Sequence, residues 1–281
     1  MDQWTYSHSQ LKMYRDCPRL YHDSYVLGLR QPKTANMAYG TWMLHAPIEA
    51  YVSGKHPFDQ PLASADWELS WQAWWANFLA EFGGTNDYDD PVLTLKTAKR
   101  CLALYKDSPI EGEVQAVEEK QYYTFPDWIK YVSIPDFIVE RRRDPIQHTA
   151  YGENAFKRFT VDLKFTTTWK VNPLLPYDDQ CLGQAICSSA DGFIRATFQA
   201  DKKTGKVTGP RIEQHMVDPV LRDEWISETW RLCREIEALK KLPGATWGKN
   251  VGHCYAYGRS CYRMGDCKNG ATYPVDKPHT A

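Results

Sequence analysis

A carboxylate and an ammonium alternate with three apolar side chains in Val161-Asp162-Leu163-Lys164-Phe165. Successive side chains of a strand point to opposite faces, so Val161, Leu163 and Phe165 pack one way while Asp162 and Lys164 project together the other way. Turning a carboxylate and an ammonium inward is costly unless they pair or line a site. The chain must therefore bury one face of this strand and give the other a polar purpose. A D-x-K triplet alone is a common accident, so its company decides what it means.

That company is an α/β pattern. Ser7-His8-Ser9-Gln10 reads as a helix start, with Leu11, Tyr14, Leu20 and Tyr21 following at roughly helical spacing. Met37–Val52 reads as a helix with Leu44, Ile48 and Tyr51 on one face, Asp66–Phe82 as a Trp-rich amphipathic helix, and Leu93–Tyr105 as another. After Ser108 the rhythm changes. Val114–Phe125 and Trp128–Arg142 alternate as two strands about a turn at Pro126-Asp127, and Phe159–Thr167 is a third. Pro176–Ala190 reads as helical, Gly192–Ala200 and Arg211–Val217 as a hairpin, and Pro219–Lys241 as a long helix. This order predicts one α/β domain over 1–281, with a helical insertion at about 53–110 and a loop-rich tail at about 248–281.

Composition narrows the class less. The net charge is −1, from 34 basic and 35 acidic residues, which is no mark of a bulk phosphate binder. Bound divalent cations and a local basic strip can do that work instead, so charge neither supports nor excludes nucleic acid. Eleven Trp and 17 Tyr suit a large core and also offer stacking surfaces for unpaired bases, with core and rim packing the ordinary role for most of them. There is no signal-like run and no 18-residue apolar segment, so the expectation is an intracellular, cytoplasmic protein with no membrane partner. Eight cysteines in a reducing compartment are then metal ligands or small buried hydrophobes.

Upstream of the D-x-K strand, Ile134-Pro135-Asp136-Phe137-Ile138-Val139 sets an acid at the start of an apolar run. An Asp between Pro and Phe is ordinarily a turn residue. On a strand next to Asp162, however, it would let two carboxylates share a hard, oxygen-preferring cation such as Mg²⁺ or Mn²⁺. Lys164 could then orient or deprotonate water, or neutralise charge on the phosphate.

Pro-Asp followed by Asp-x-Lys resembles the PD-(D/E)XK nucleases, and within them the RecB-like exonuclease branch. The resemblance implies a restriction-endonuclease-like core, a central mixed sheet flanked by helices. It implies that Asp136 and Asp162 bind the metal with help from the Leu163 carbonyl, and that Lys164 is catalytic. It adds a metal-binding histidine on an early helix, matched by His45 in Gly40-Thr41-Trp42-Met43-Leu44-His45, with Glu49 one turn later. It also adds a glutamine after the D-x-K strand. Gln180 takes that place, but Gln184 stands where the family usually has tyrosine and leaves a second choice. Glu118 and Glu119 are further candidates for metal or water contacts.

Cys254, Cys261 and Cys267 sit in a Gly- and Tyr-rich tail that cannot order itself by burial, so a bound metal gives it a reason to fold. A fourth thiol is available in Tyr14-Arg15-Asp16-Cys17-Pro18-Arg19-Leu20-Tyr21. With Ser7 and Ser9 ahead of it, this segment resembles the iron–sulfur subset of the RecB-like nucleases. That resemblance implies a 4Fe–4S cluster on Cys17, Cys254, Cys261 and Cys267. The spacing of the last three departs from the commoner Cys-x2-Cys-x5-Cys, which leaves structural zinc, with His253 as a ligand, as the alternative. Cys101, Cys181, Cys187 and Cys233 read as core residues without partners.

Arg141-Arg142-Arg143 and Lys202, Lys203 and Lys206 are candidate phosphate contacts or simply solvated faces; Trp67, Trp71, Trp74 and Trp75 are base-stacking candidates or core. No GxxxxGK[ST] occurs, so the chain has no P-loop motor of its own. The expectation is a DNA nuclease, favouring exonuclease action on single-stranded or free ends, working alone or beside a separate helicase or recombinase. A compact motorless nuclease would suit a phage. The rival is a non-catalytic iron–sulfur or zinc-stapled DNA-binding or interaction protein.

Overall fold

The computed structural model describes residues 4–29, 46–52, 72, 75–76, 78–80, 91–142, 156–166, 175–201, 204–242 and 247–250. In chain order its elements are β1 (Thr5–Ser7), α1 (His8–Asp16), α2 (Pro18–Tyr21), α3 (Ala46–Val52) and α4 (Pro91–Asp107). Four strands follow, β2 (Glu113–Val117), β3 (Gln121–Thr124), β4 (Lys130–Ser133) and β5 (Phe137–Arg142), and then the long β6 (Phe156–Thr166). The series ends with α5 (Asp179–Cys187), β7 (Gly192–Ala200), β8 (Val207–Met216) and α6 (Pro219–Lys241). The chain divides into two compact units, one of residues 1–33, 124–131 and 226–281 and one of residues 34–123 and 132–225.

The second unit is built on a five-stranded mixed sheet of order β2-β5-β6-β7-β8. β6 and β7 run parallel and the other neighbours antiparallel. A parallel pair cannot be closed by a tight turn, and α5 lies in the crossover between β6 and β7. Period two divides the faces. Phe137, Val139, Phe159, Val161, Leu163, Ile194, Ala196 and Phe198 join one buried cluster with Ile48 of α3 and Ala98, Cys101, Leu102 and Tyr105 of α4. Asp162 and Arg195 alternate with these residues and stand directly opposite each other in the β6–β7 register. Their face is the one that α5 approaches. The mixed sheet flanked by helices is restriction-endonuclease-like, as expected.

Several expected boundaries move, each for a local reason. Val114–Phe125 is two strands, because Glu118 turns the chain at φ 49° within the polar run Glu118-Glu119-Lys120. Trp128–Arg142 is also two strands, broken at Ile134-Pro135-Asp136, where Pro135 lacks an N–H for the ladder. The helix expected over Pro176–Ala190 is a 3₁₀ turn (Leu175–Tyr177) followed by α5, because Asp178 starts α5 as a side-chain cap. β8 begins four residues ahead of its expected start. Residues 37–45 and most of 66–82 lie outside the described residues.

In the first unit, Gln10 Oε1 accepts the Ser7 N–H at 2.7 Å, closing the entry to α1. Cys17 is extended because Pro18 disfavours helical geometry at the residue before it, and Pro18 then opens α2. Trp247 packs against Tyr14, Tyr21 and His22, with ring centroids 6.3, 6.0 and 5.0 Å away. The Gly248 carbonyl accepts the Arg19 N–H at 2.9 Å, and Asn250 donates to the Asp16 carbonyl at 2.8 Å. Tyr6 donates to the buried Glu237, which Lys240 also reaches at 2.9 Å. Among the described residues no helix is long and apolar enough to cross a membrane.

Candidate active site

Asp162 is the most buried acid of the sheet, 1% exposed. Its two oxygens have different neighbours. Oδ1 lies 2.9 Å from Lys164 Nζ and 3.4 Å from Gln180 Nε2, whereas Oδ2 lies 3.1 Å from Arg195 Nε. Lys164 Nζ is also 3.5 Å from Gln180 Oε1. The strand's period and the first turn of α5 thus bring acid, ammonium and amide together. Gln184 does something else: its Nε2 reaches the Ile134 carbonyl at 3.4 Å and steadies the segment leading to Asp136.

Asp136 sits where the β4–β5 segment rejoins the sheet, half-buried. Its backbone is pinned on both sides, N–H to the Val161 carbonyl at 3.2 Å and carbonyl from the Glu118 N–H at 3.1 Å. Its Oδ2 accepts the Leu163 N–H at 2.5 Å. So Asp136 reaches the backbone between Asp162 and Lys164. Glu49 of α3 adds a third carboxyl. Burial, then the charges of Asp136 and Glu118 and a hydrogen bond with Glu118, push it up to about 9.

The same crowding acts on the pair itself. Burial pushes the Asp162 carboxyl up; Lys164 pulls it back, Asp136 adds to the rise, and Arg195 opposes it. Burial alone would lower the Lys164 ammonium, but Asp162 beside it, and Asp136 further off, hold it above the usual lysine range. Lys164 therefore remains charged. The site gathers more negative charge than its cations comfortably balance, and its donors are carboxylate oxygens, which suit a hard divalent cation. Among the described residues, no group of three or more His, Cys, Asp and Glu side chains is arranged to hold an ion as it stands. Asp162 is engaged by Lys164 and Arg195 instead.

Two residues of this site were not singled out from the sequence. Arg195 bridges Asp162 and Asp178, with Nη2 3.1 Å from Asp178 Oδ2 and 3.0 Å from Cys181 Sγ. Asp178 Oδ1 caps α5, accepting the N–H groups of Gln180 and Cys181 at 3.0 Å. A lone cation within the apolar run Gly192-Phe193-Ile194-Arg195-Ala196 was the available signal. Cys181, expected to be without partners, takes that contact from Arg195, and Cys187, expected likewise, hydrogen-bonds with the Tyr123 backbone; Cys101 and Cys233 are buried thiols.

Glu119 is exposed. Arg141 is engaged at the surface by the chain's own groups, 2.6 Å from Gln214 Oε1 and 2.7 Å from the Glu111 carbonyl, and Trp75 is buried against Phe78. His45, Cys254, Cys261, Cys267, His253, Arg143, Lys202, Lys203, Trp67, Trp71 and Trp74 lie outside the described residues; Cys17 is described and buried.

Residues 5–141 match the model of the PD-(D/E)XK nuclease superfamily, a span that contains Asp136 and ends ahead of Asp162 and Lys164. The fold and this match support a nuclease. A crystal structure of a candidate exonuclease from Eubacterium rectale is similar to the chain with a TM-score of 0.50. It is 11% identical, and the similarity covers 95% of this chain and 94% of that one; at this identity it speaks to the fold. A second solved structure, that of SSO0001, is 13% identical over 84% and 86% of the two chains with a TM-score of 0.31, too low to carry an argument. No curated protein matches the chain.

Proposed function

We propose that this chain is a metal-dependent deoxyribonuclease of RecB-like type, acting as an exonuclease on single-stranded or free DNA ends. One observation carries the reading: Asp136 holds the backbone N–H between Asp162 and Lys164 while Lys164 lies 2.9 Å from Asp162, so an acid just ahead of β5 meets the acid and ammonium of β6. Asp136, Asp162, the Leu163 carbonyl and His45 would hold Mg²⁺ or Mn²⁺. The cation, when bound, supplies charge neutralisation and a more acidic water.

The chain's own groups do the rest. Asp162 fixes Lys164 Nζ near the reacting phosphate's place, where the ammonium offsets negative charge and directs a water proton. Gln180, within reach of both Asp162 and Lys164, orients that water. Burial of Asp162 keeps bulk solvent from screening these charges. The products are a 5′-phosphate and a 3′-hydroxyl, and a separate helicase or recombinase would supply the ends.

Cys17, Cys254, Cys261 and Cys267 would carry a structural 4Fe–4S cluster. Its support is the backbone bond from Arg19 to Gly248, which holds residues 247–250 beside Cys17. Cys254 follows Asn250 by four residues in the sequence.

The test compares wild type with Asp162→Ala and Lys164→Ala on single- and double-stranded DNA in Mg²⁺ or Mn²⁺. Degradation by wild type and its loss in both variants, with an unchanged visible spectrum, is the expected result. Activity surviving in both overturns the site. Colourless protein with tightly bound zinc overturns the iron–sulfur assignment.

A further inference from the structure

Arg195 forms no hydrogen bond with Lys164 or Gln180, yet it holds the oxygen of Asp162 that those two do not touch. Its guanidinium is a fork with one prong on each of two carboxylates far apart in sequence: Nε on Asp162 Oδ2 and Nη2 on Asp178 Oδ2, both at 3.1 Å. Only 11% of the side chain is exposed. The parallel register sets Arg195 directly across from Asp162, so the fork spans from strand β6 to the cap of α5. Asp178, in turn, uses its other oxygen to hold the first N–H groups of the helix that presents Gln180.

We propose that Arg195 is a positioning residue for the cation site. It commits Asp162 Oδ2 to the protein so that Oδ1, the oxygen shared with Lys164 and Gln180, is the one offered to a metal ion, and it locks Gln180 in register with that oxygen. The inference rests on the reading of Asp162 as a metal ligand. A planar guanidinium suits this role because its donors diverge in one plane and reach two acceptors at once, whereas a lysine ammonium is a point donor on a flexible stem. Outer partners that orient a ligand change metal affinity by about 10- to 100-fold when lost.

Charge and geometry make opposite predictions, which makes the role testable. If Arg195 were only a nearby positive charge, removing it would lessen repulsion and tighten cation binding. As a positioning residue its loss weakens binding, and a lysine that keeps the charge does not restore it.

Mn²⁺ binding to the whole protein is measured by calorimetry without DNA, for wild type, Arg195→Lys, Arg195→Gln, Asp178→Asn and Asp162→Ala, with circular dichroism to show that each is folded. Arg195→Lys and Arg195→Gln are expected to weaken Mn²⁺ binding by about 10- to 100-fold. With DNA present, they raise the Mn²⁺ concentration needed for half-maximal rate by a similar factor. Asp178→Asn, which keeps a capping side chain but drops the charged prong, is expected to weaken binding less and to lower kcat through Gln180.

Unchanged or tighter binding in Arg195→Gln, with binding lost in Asp162→Ala, overturns the proposal and leaves the acid site standing. Wild-type binding in Asp162→Ala overturns the acid-site reading, and this role with it. If neither Arg195 variant folds, Asp178→Asn decides: unchanged Mn²⁺ affinity and unchanged kcat overturn it.

Discussion

Arg231 and Arg195 each hold two carboxylates, and they have little else in common. Arg231, on α6 of the first unit, reaches Glu228 at 2.8 Å and Glu235 at 3.0 Å. Arg195, in the sheet of the second unit, reaches Asp162 and Asp178 at 3.1 Å each. By distance the exposed set is the tighter. Yet Arg231 is 58% exposed and its partners are one helical turn away in sequence, so the helix would bring them together whatever the rest of the chain did. The partners of Arg195 come from a different strand and from a helix cap, and Arg195 and Asp162 are almost wholly out of water, at 11% and 2% exposed, with Asp178 at 25%. The contrast teaches that an ion pair's meaning here lies in burial and in the elements it joins, not in its length.

The largest test of that contrast acts on the acid that Arg195 holds. Asp162→Ala or Lys164→Ala should each lower the DNA-cleavage rate by on the order of 10³-fold, the scale seen when a preorganised charge at a reacting centre is removed; a quantitative nuclease assay in excess Mn²⁺ measures it. A loss of less than tenfold would mean that the buried cluster is structural. Next comes the arginine itself. Arg195→Met strands two carboxylates, one of them buried, and should lower the free energy of unfolding by about 3 kcal/mol in urea titrations of metal-free protein. A smaller effect follows at the helix cap: Asp178→Ala removes the acceptor for the Gln180 and Cys181 N–H groups and should cost about 1 kcal/mol, while Asp178→Asn retains most of it.

What was legible in the sequence divides along the same line. The strand Val161–Phe165 was readable because a period of two is written into adjacent residues, and Asp136 because Pro135 punctuates the run before it. Gln180 could be narrowed only to one of two glutamines, since choosing required the pitch of α5 against β6. Glu49 was noticed only for its place after His45; its crowding by Asp136 and Glu118 depends on where α3 packs. Arg195 was passed over altogether. Its importance comes from the parallel register that puts it opposite Asp162, and no local pattern encodes the register of strands joined through a long crossover. The break at Glu118 was missed for a related reason: its left-handed backbone is unusual for a glutamate, and no glycine or asparagine marked it.

The smallest expected effect is the one that closes the comparison. Arg231→Gln removes both exposed pairs at once, and the midpoint of thermal unfolding should not move beyond experimental error at 150 mM salt. The reason is physical and not a matter of poor geometry. The Glu228 carboxyl is held below its usual range, chiefly by its hydrogen bond with Arg231, so the contact is a real one. But water and salt screen charges of either sign on an exposed helix face, and water solvates the carboxylates that are left unpaired. Glu235 also keeps its bond from Tyr14 at 2.5 Å, so the tie between α1 and α6 survives the substitution. A clear loss of stability in Arg231→Gln would show that something covers this helix face in the folded protein, and the division between exposed and buried arginines would have to be drawn elsewhere.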